Sequence, residues 1–355
     1  MANTMHEFLC ALPKCEHHIH IEGSLSPTLL FSLSEKNEIA LPKDDAAFGS
    51  IAALEARYTE FKDLQDFLDY YYLAMSTLLT MSDFEDLMYA YLKKAVSDGL
   101  MHAEIFFDPQ AHTDRGVALE TVVRGLERGI ERAEAEWDVS ADLIMCFLRH
   151  LPQTLAIDTF EAARSGQFLT TAEARRKIVG VGLDSAELPF PPELFTDVYA
   201  AAGEAGLHRT AHAGEEGPAA YIATSLDSLH VERIDHGIKL IQDPSLLARV
   251  AEQGTMLTVC PLSNVRLRAV KSVAEVPIKQ FLHAGVRFSI NSDDPAYFGG
   301  YILDNYLAVQ EAHSLTKAEW LTIVRNSVEG SWCTRDRKAQ IMDKIEQVSA
   351  RFVEL

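Results

Sequence analysis

Cysteine is scarce and scattered in this chain. Five occur in 355 residues (Cys10, Cys15, Cys146, Cys260 and Cys333), and no two form a C-x-x-C pair. A disulfide framework is therefore excluded, and the thiols read as reduced. Basic residues are the minority, 32 Lys and Arg against 52 Asp and Glu, for a formal net charge of −20. A field of that sign repels phosphate backbones and anionic lipid, so neither a nucleic-acid polymer nor a membrane surface is an expected partner. The opening "MANTMHEFLCALPKCEHH" has no apolar core of signal-peptide length, and no later run approaches a membrane span. The expectation is a soluble cytoplasmic protein, with the nucleus also open to it in a eukaryotic cell. No Pro/Gly/Ser linker, tandem repeat or low-complexity tract divides residues 1–355, so one domain is expected despite the length. No G-x-G-x-x-G follows an early strand, which argues against a dinucleotide fold.

What is present is a recurring short apolar run followed by a helical pattern. Strands are expected near 16–22, 101–107, 142–148, 178–184, 208–213, 233–237, 255–260 and 286–291. Helix-like stretches such as "GVALETVVRGLERGIERAEAEW" and "PELFTDVYAAAGEAG" lie between them. Eight strands alternating with helices predict an α/β fold, a (β/α)8 TIM-type barrel. The first crossover is too long for one helix. Residues 50–98 read as a helical insertion after strand one, with Phe61, Leu64, Leu68, Tyr71 and Tyr72 at helical spacing. They form either a packed outer layer or a lid in which Phe61, Leu64 and Leu68 line the barrel mouth.

The polar residues gather at strand ends. In "HHIHIEG" (17–23), residues two apart share a face, so His18 and His20 point together and His17 faces the other way. Strand five runs into "HAGEE" with His212 and Glu215, strand six carries "DHG" with His236, and strand eight runs into "NSDDP" with Asp293 and Asp294. Each has a plain alternative: a hydrogen-bonded core histidine, a charge at a helix start, or turn chemistry. Together they put imidazoles and carboxylates at the C-terminal ends of four strands, which is the catalytic face of a barrel. Nitrogen and carboxylate donors without thiolate suit zinc with an open position for water. Spacing leads to metal-assisted hydrolysis and no further.

In order along the chain, "LPKCEHHIHIEGSL", "GLDSAE", "HAGE", "RIDHG" and "NSDDP" resemble the adenosine/adenine deaminase family of the amidohydrolase superfamily. "NSDDPAYFGGY" and "PKCEHHIHIEG" look more like its adenine-specific than its nucleoside-specific members. The resemblance implies one Zn2+ held by His18, His20, His212 and Asp293. Glu215 would donate a proton to purine N1, His236 would orient and deprotonate the water, and Asp294 would meet N7. Gly182, Asp184 and Glu187 of the strand-four segment and Glu22 would contact the substrate. Glu187 is the expected acceptor for the N9–H of free adenine, and Glu22, one methylene longer than the Asp of nucleoside deaminases, is expected to intrude on ribose space. The implied reaction is adenine to hypoxanthine and ammonia, a purine-salvage step, with a small purine base as partner and a homo-oligomer left open. The H-x-E and P-C-x-x-C signature of cytidine-type zinc deaminases is absent. Rival readings are an adenosine or N6-modified purine nucleoside or nucleotide deaminase, a purine-binding barrel without activity, and an amide or phosphoester hydrolase. The last often bridges two metals with a mid-chain lysine, and "LDSAE" has none.

Overall fold

The computed structural model describes residues 2–171, 174 and 176–355. Eight strands run parallel, each beside the next in sequence: β1 (Lys14–Glu16), β2 (Leu100–Phe107), β3 (Ser140–Leu148), β4 (Ile178–Asp184), β5 (His208–Ala213), β6 (Arg233–His236), β7 (Met256–Val259) and β8 (Arg287–Ile290). The barrel closes by single bridges, not a full ladder. Asp293 N donates to His18 O at 3.0 Å and His20 N to Asp293 O at 2.9 Å, while Ile21 N donates to Phe106 O at 2.9 Å. The fold is the expected (β/α)8 barrel.

Strand one differs from its expected 16–22. Its ladder ends at Glu16, and residues 22–24 form a 3-10 turn. The reason lies on both sides: residues 18–21 bond alternately to the loop after β8 and to β2, so no continuous ladder with one neighbour forms. The alternation of faces survives. His17 turns outward, Nδ1 3.1 Å from Ser289 Oγ and Nε2 2.8 Å from Ser331 Oγ, while His18 and His20 turn in.

Between β1 and β2 come α1's successors. With α1 at Ala2–Ala11, these are α2 (Pro27–Lys36), α3 (Ile51–Tyr58), α4 (Leu64–Met75) and α5 (Met81–Ser97). Asp63 caps α4 by accepting from Asp66 N at 2.9 Å, and the Thr80–Asp83 capping box opens α5. Phe67, Leu68 and Tyr71 give α4 a buried face. No helix among the described residues is long and apolar enough to cross a membrane.

The barrel interior is filled in layers. Phe106, Ile144 and Cys146 pack together with Trp332, which enters from beyond the strands. Below them Arg233 Nη2 bonds Glu104 Oε2 at 2.5 Å, both fully buried, and the guanidinium lies 3.9 Å from the Trp332 ring centre. Glu104 also accepts from Trp332 N. Gly182 packs against this interior. A Cβ there would come within 2.7 Å of Cys146 Sγ, so its missing side chain makes room for packing.

Candidate active site

At the C-terminal ends of the strands four side chains converge. Donor atoms of His18, His20, His212 and Asp293 all lie within 4.8 Å of one another, and every one is buried. His18 Nε2 and His20 Nε2 stand 3.2 and 3.5 Å from Asp293 Oδ1, and His20 Nε2 is 3.3 Å from His212 Nε2. Imidazole nitrogens this close share either a proton or a cation. Their far nitrogens face oxygen atoms, and that of His18 makes a hydrogen bond. Thr258 Oγ1 donates to Asp235 Oδ1 at 2.9 Å and so accepts from His18 Nδ1 at 2.9 Å. Asp235 Oδ2 lies 3.6 Å from His212 Nδ1, and Asp184 Oδ2 lies 3.4 Å from His20 Nδ1. A proton kept on Nδ1 frees the Nε2 lone pair for metal.

The electrostatics agree. Burial, reinforced by the neighbouring His18, lowers the pKa of His20 and of His236 to about 3, and burial holds His212 well below the usual range, so these rings are neutral. Burial opposes protonation of His18 too, but Asp293 beside it outweighs that and raises it. The three-nitrogen, one-carboxylate set suits zinc.

Asp293 and His236 have φ of +64° and +61°, the left-handed region that non-glycine residues avoid. Asp293 is held there by its paired hydrogen bonds to His18 O and from His20 N. A close approach at Gly23 serves the same loop: a Cβ there would sit 1.9 Å from Asp294 Oδ1, so only glycine can follow "HHIHIE".

Glu215 and His236 meet beside the cradle, His236 Nε2 lying 3.4 Å from Glu215 Oε2 and 3.7 Å from Asp293 Oδ2. Burial, with Asp293 and Glu187 nearby, pushes the Glu215 carboxyl well above its usual pKa. A carboxyl that keeps its proton near neutrality is a proton donor. Glu215, His20, Asp184 and Asp294 line one chamber with Asp108, Ser185 and Leu148, roofed by Leu64, Phe67, Leu68, Tyr71 and Tyr72 of α4. Two of the three expected mouth residues, Leu64 and Leu68, are there. Phe61 is not; its ring packs against Tyr58 and Phe67 behind the roof.

Two expected substrate contacts fall elsewhere. Glu187 is outside the chamber lining. Its Oε2 accepts from Gly214 N and Gly217 N at 3.0 and 2.9 Å, and its Oε1 from Glu215 N at 2.9 Å. With both oxygens bonded to main chain, it fixes the loop that carries Glu215. Glu22 also stands behind the lining, its Oε1 accepting from Asp108 N at 3.1 Å and meeting His112 Nε2 at 2.8 Å. Asp108, Asp235 and Asn264 were not singled out in the sequence. Asp108 and Asp235 carried a signal all the same, since each is an acidic residue at or next to the C-terminal end of an apolar strand, in "EIFFDP" and "RIDHG".

Glu187→Gln should show what the loop contact does. One acceptor oxygen becomes an N–H donor facing a main-chain N–H, which leaves a buried donor unpaired at a cost of about 1–3 kcal/mol. The melting temperature should fall by several degrees and kcat by roughly tenfold or more, with KM little changed, because the proton donor loosens. An unchanged melt and unchanged kcat would mean that the loop does not depend on this carboxylate.

The sequence profile of the family described as Adenosine deaminase matches residues 13–348. The chain belongs to the adenosine deaminase family. Among its relatives within that family, a curated adenine deaminase of Schizosaccharomyces pombe is 52% identical over 344 residues, covering 97% of this chain and 92% of that protein. The crystal structure of an adenine deaminase from Arthrobacter aurescens superposes with a TM-score of 0.89 at 45% identity, covering 96% of this chain and 99% of that one. An amidohydrolase from Burkhoderia ambifaria, solved with bound Zn, gives a TM-score of 0.87 at 26% identity over 100% of this chain and 96% of its own.

Proposed function

We propose that this chain deaminates adenine to hypoxanthine and ammonia, with one zinc ion held by His18, His20, His212 and Asp293. The observation that carries the reading is the convergence of a buried three-histidine, one-carboxylate cradle with Glu215, whose carboxyl burial raises above its usual pKa, on the wall of one chamber that His20 also lines. The resemblance to proteins named adenine deaminase supports the choice of substrate. Zinc in such a cradle supplies Lewis acidity that makes a water nucleophilic near neutral pH. Water adds to C6 of the purine while Glu215 delivers its proton to N1. His236 and Asp293, 3.7 Å apart, take one proton from the water and pass it to the amino group, which leaves as ammonia, while the water's second proton returns to Glu215. Leu64, Phe67 and Leu68 keep bulk water from the adduct.

The opposite edge of the base falls to carboxylates at the chamber wall. Asp108 Oδ1, Asp184 Oδ1 and Asp294 Oδ1 are all buried without a hydrogen-bond partner. Free adenine brings a ring N–H that a nucleoside lacks, and Asp294 fits N7. Asp108 and Asp184 then replace Glu187 as acceptors for N9–H, with Glu22 acting on specificity through its hold on Asp108. A nucleoside would leave these carboxylates unpaired and crowd the chamber. An unpaired buried polar group costs about 1–3 kcal/mol, more if charged, so kcat/KM for adenine should exceed that for adenosine by roughly 10²-fold. Ammonia release from the two substrates, side by side, measures it. Equal turnover of adenosine would overturn the choice of substrate and leave family membership standing.

A further inference from the structure

Glu215 and His236 come from different strands, yet one side chain touches both. Asn264 lies in the short helix 261–266 that follows β7, fully buried. Its backbone is fixed at both ends, N donating to Cys260 O at 2.9 Å and O accepting from Val270 N at 3.0 Å. Its Nδ2 stands 3.0 Å from Glu215 Oε1 and 3.2 Å from His236 Nδ1, and its Oδ1 is buried with no hydrogen-bond partner. A buried amide placed at the edge of two functional side chains, with its own oxygen left unpaired, serves those side chains and not the packing around it.

We propose that Asn264 is a positioning residue that decides which oxygen of Glu215 carries the acidic proton. An N–H donor directed at Oε1 occupies that oxygen as an acceptor. The carboxyl proton is then confined to Oε2, the oxygen 3.4 Å from His236 Nε2. Without the donor, the carboxyl can hold its proton on either oxygen and rotate, and the geometry for transfer to N1 is reached less often. The same Nδ2 lies 3.2 Å from His236 Nδ1, so the amide packs against both groups. Glu187 fixes the main chain of Glu215, and Asn264 fixes its side chain.

This rests on Glu215 being the proton donor, and the experiment separates the two claims. Asn264→Leu removes the donor with little change in volume, and Asn264→Asp keeps the shape. Each is made alone and with Glu215→Gln, and each protein is assayed for bound metal, melting temperature, and kcat and KM on adenine. Either single variant should keep one metal per chain and a KM within about threefold, with kcat lower by roughly 10- to 100-fold. In the Glu215→Gln background the same changes should cost almost nothing more, because groups acting through one another are not additive. An equal loss in both backgrounds, a lost metal, or a rise in KM that accounts for the whole effect would overturn the role of Asn264 alone. Full turnover by Glu215→Gln itself would overturn both claims.

Discussion

Glu215→Gln should bind metal and fold as the parent does, yet lose at least roughly 10²–10⁴-fold in kcat, the range typical of general acid–base catalysis. The amide keeps the size of the carboxyl, and its oxygen can still accept from Asn264 Nδ2, which now lies 3.0 Å from Glu215 Oε1. What the amide lacks is a proton acidic enough to give to N1. The pH dependence follows from the direction of the shift. Burial with nearby Asp293 and Glu187 raises the Glu215 pKa well above its usual value, so the protonated, active form persists through neutrality and is lost as pH rises through that pKa. The parent should therefore show an alkaline limb in kcat that the variant's residual rate lacks. Near-parental turnover in metal-replete Glu215→Gln would show that the proton comes from another group.

Removal of the carboxylate from the metal cradle should be more severe still. Asp293→Asn suits the site conformationally, because Asn tolerates the left-handed backbone that Asp293 adopts at φ +64°. The negative charge nevertheless disappears from the centre of three imidazoles, where Asp293 Oδ1 lies 3.2 Å from His18 Nε2 and 3.5 Å from His20 Nε2. Bound zinc, measured by elemental analysis, should drop well below one per chain, and activity should fall to background. Exhaustive chelation of the parent protein should have the same effect on turnover while circular dichroism stays close to that of the metal-loaded protein. A chain of this length gets its stability from apolar burial, so metal binding and folding separate here as they do not in a zinc finger. Full metal content and turnover in Asp293→Asn would remove this residue from the ligand set.

Most of the barrel was readable because short strand patterns alternate with helical ones, and the ends of β2 to β8 fell within two residues of expectation. Period two also predicted that His18 and His20 would share a face and His17 would not. The same rule fails past a strand's end. Glu187 lies three residues beyond β4, and Ser185 between them has φ +70°, so alternation no longer tells which way Glu187 turns. It turns to the 214–217 loop. At Gly182 a glycine shows where a side chain is missing, not what fills the space, and here Cys146 does. Asn264 carried no signal, since an amide near a helix start has many ordinary uses and its two partners are 28 and 49 residues away in sequence.

The Trp332 indole beneath the barrel also governs the order in which this chain can mature on a ribosome. All eight strands have been made by Ile290, and the site residues by Asp294. At that moment Glu104 and Arg233 can pair, but the ring that covers the guanidinium and the main-chain N–H that Glu104 accepts have not been synthesised. His17 likewise waits for Ser331. The emerging protein thus holds every catalytic group before it can seal the space underneath them. Helices form as they appear, but a watertight interior waits for residues 331 and 332, and the long separations involved favour slow, late consolidation.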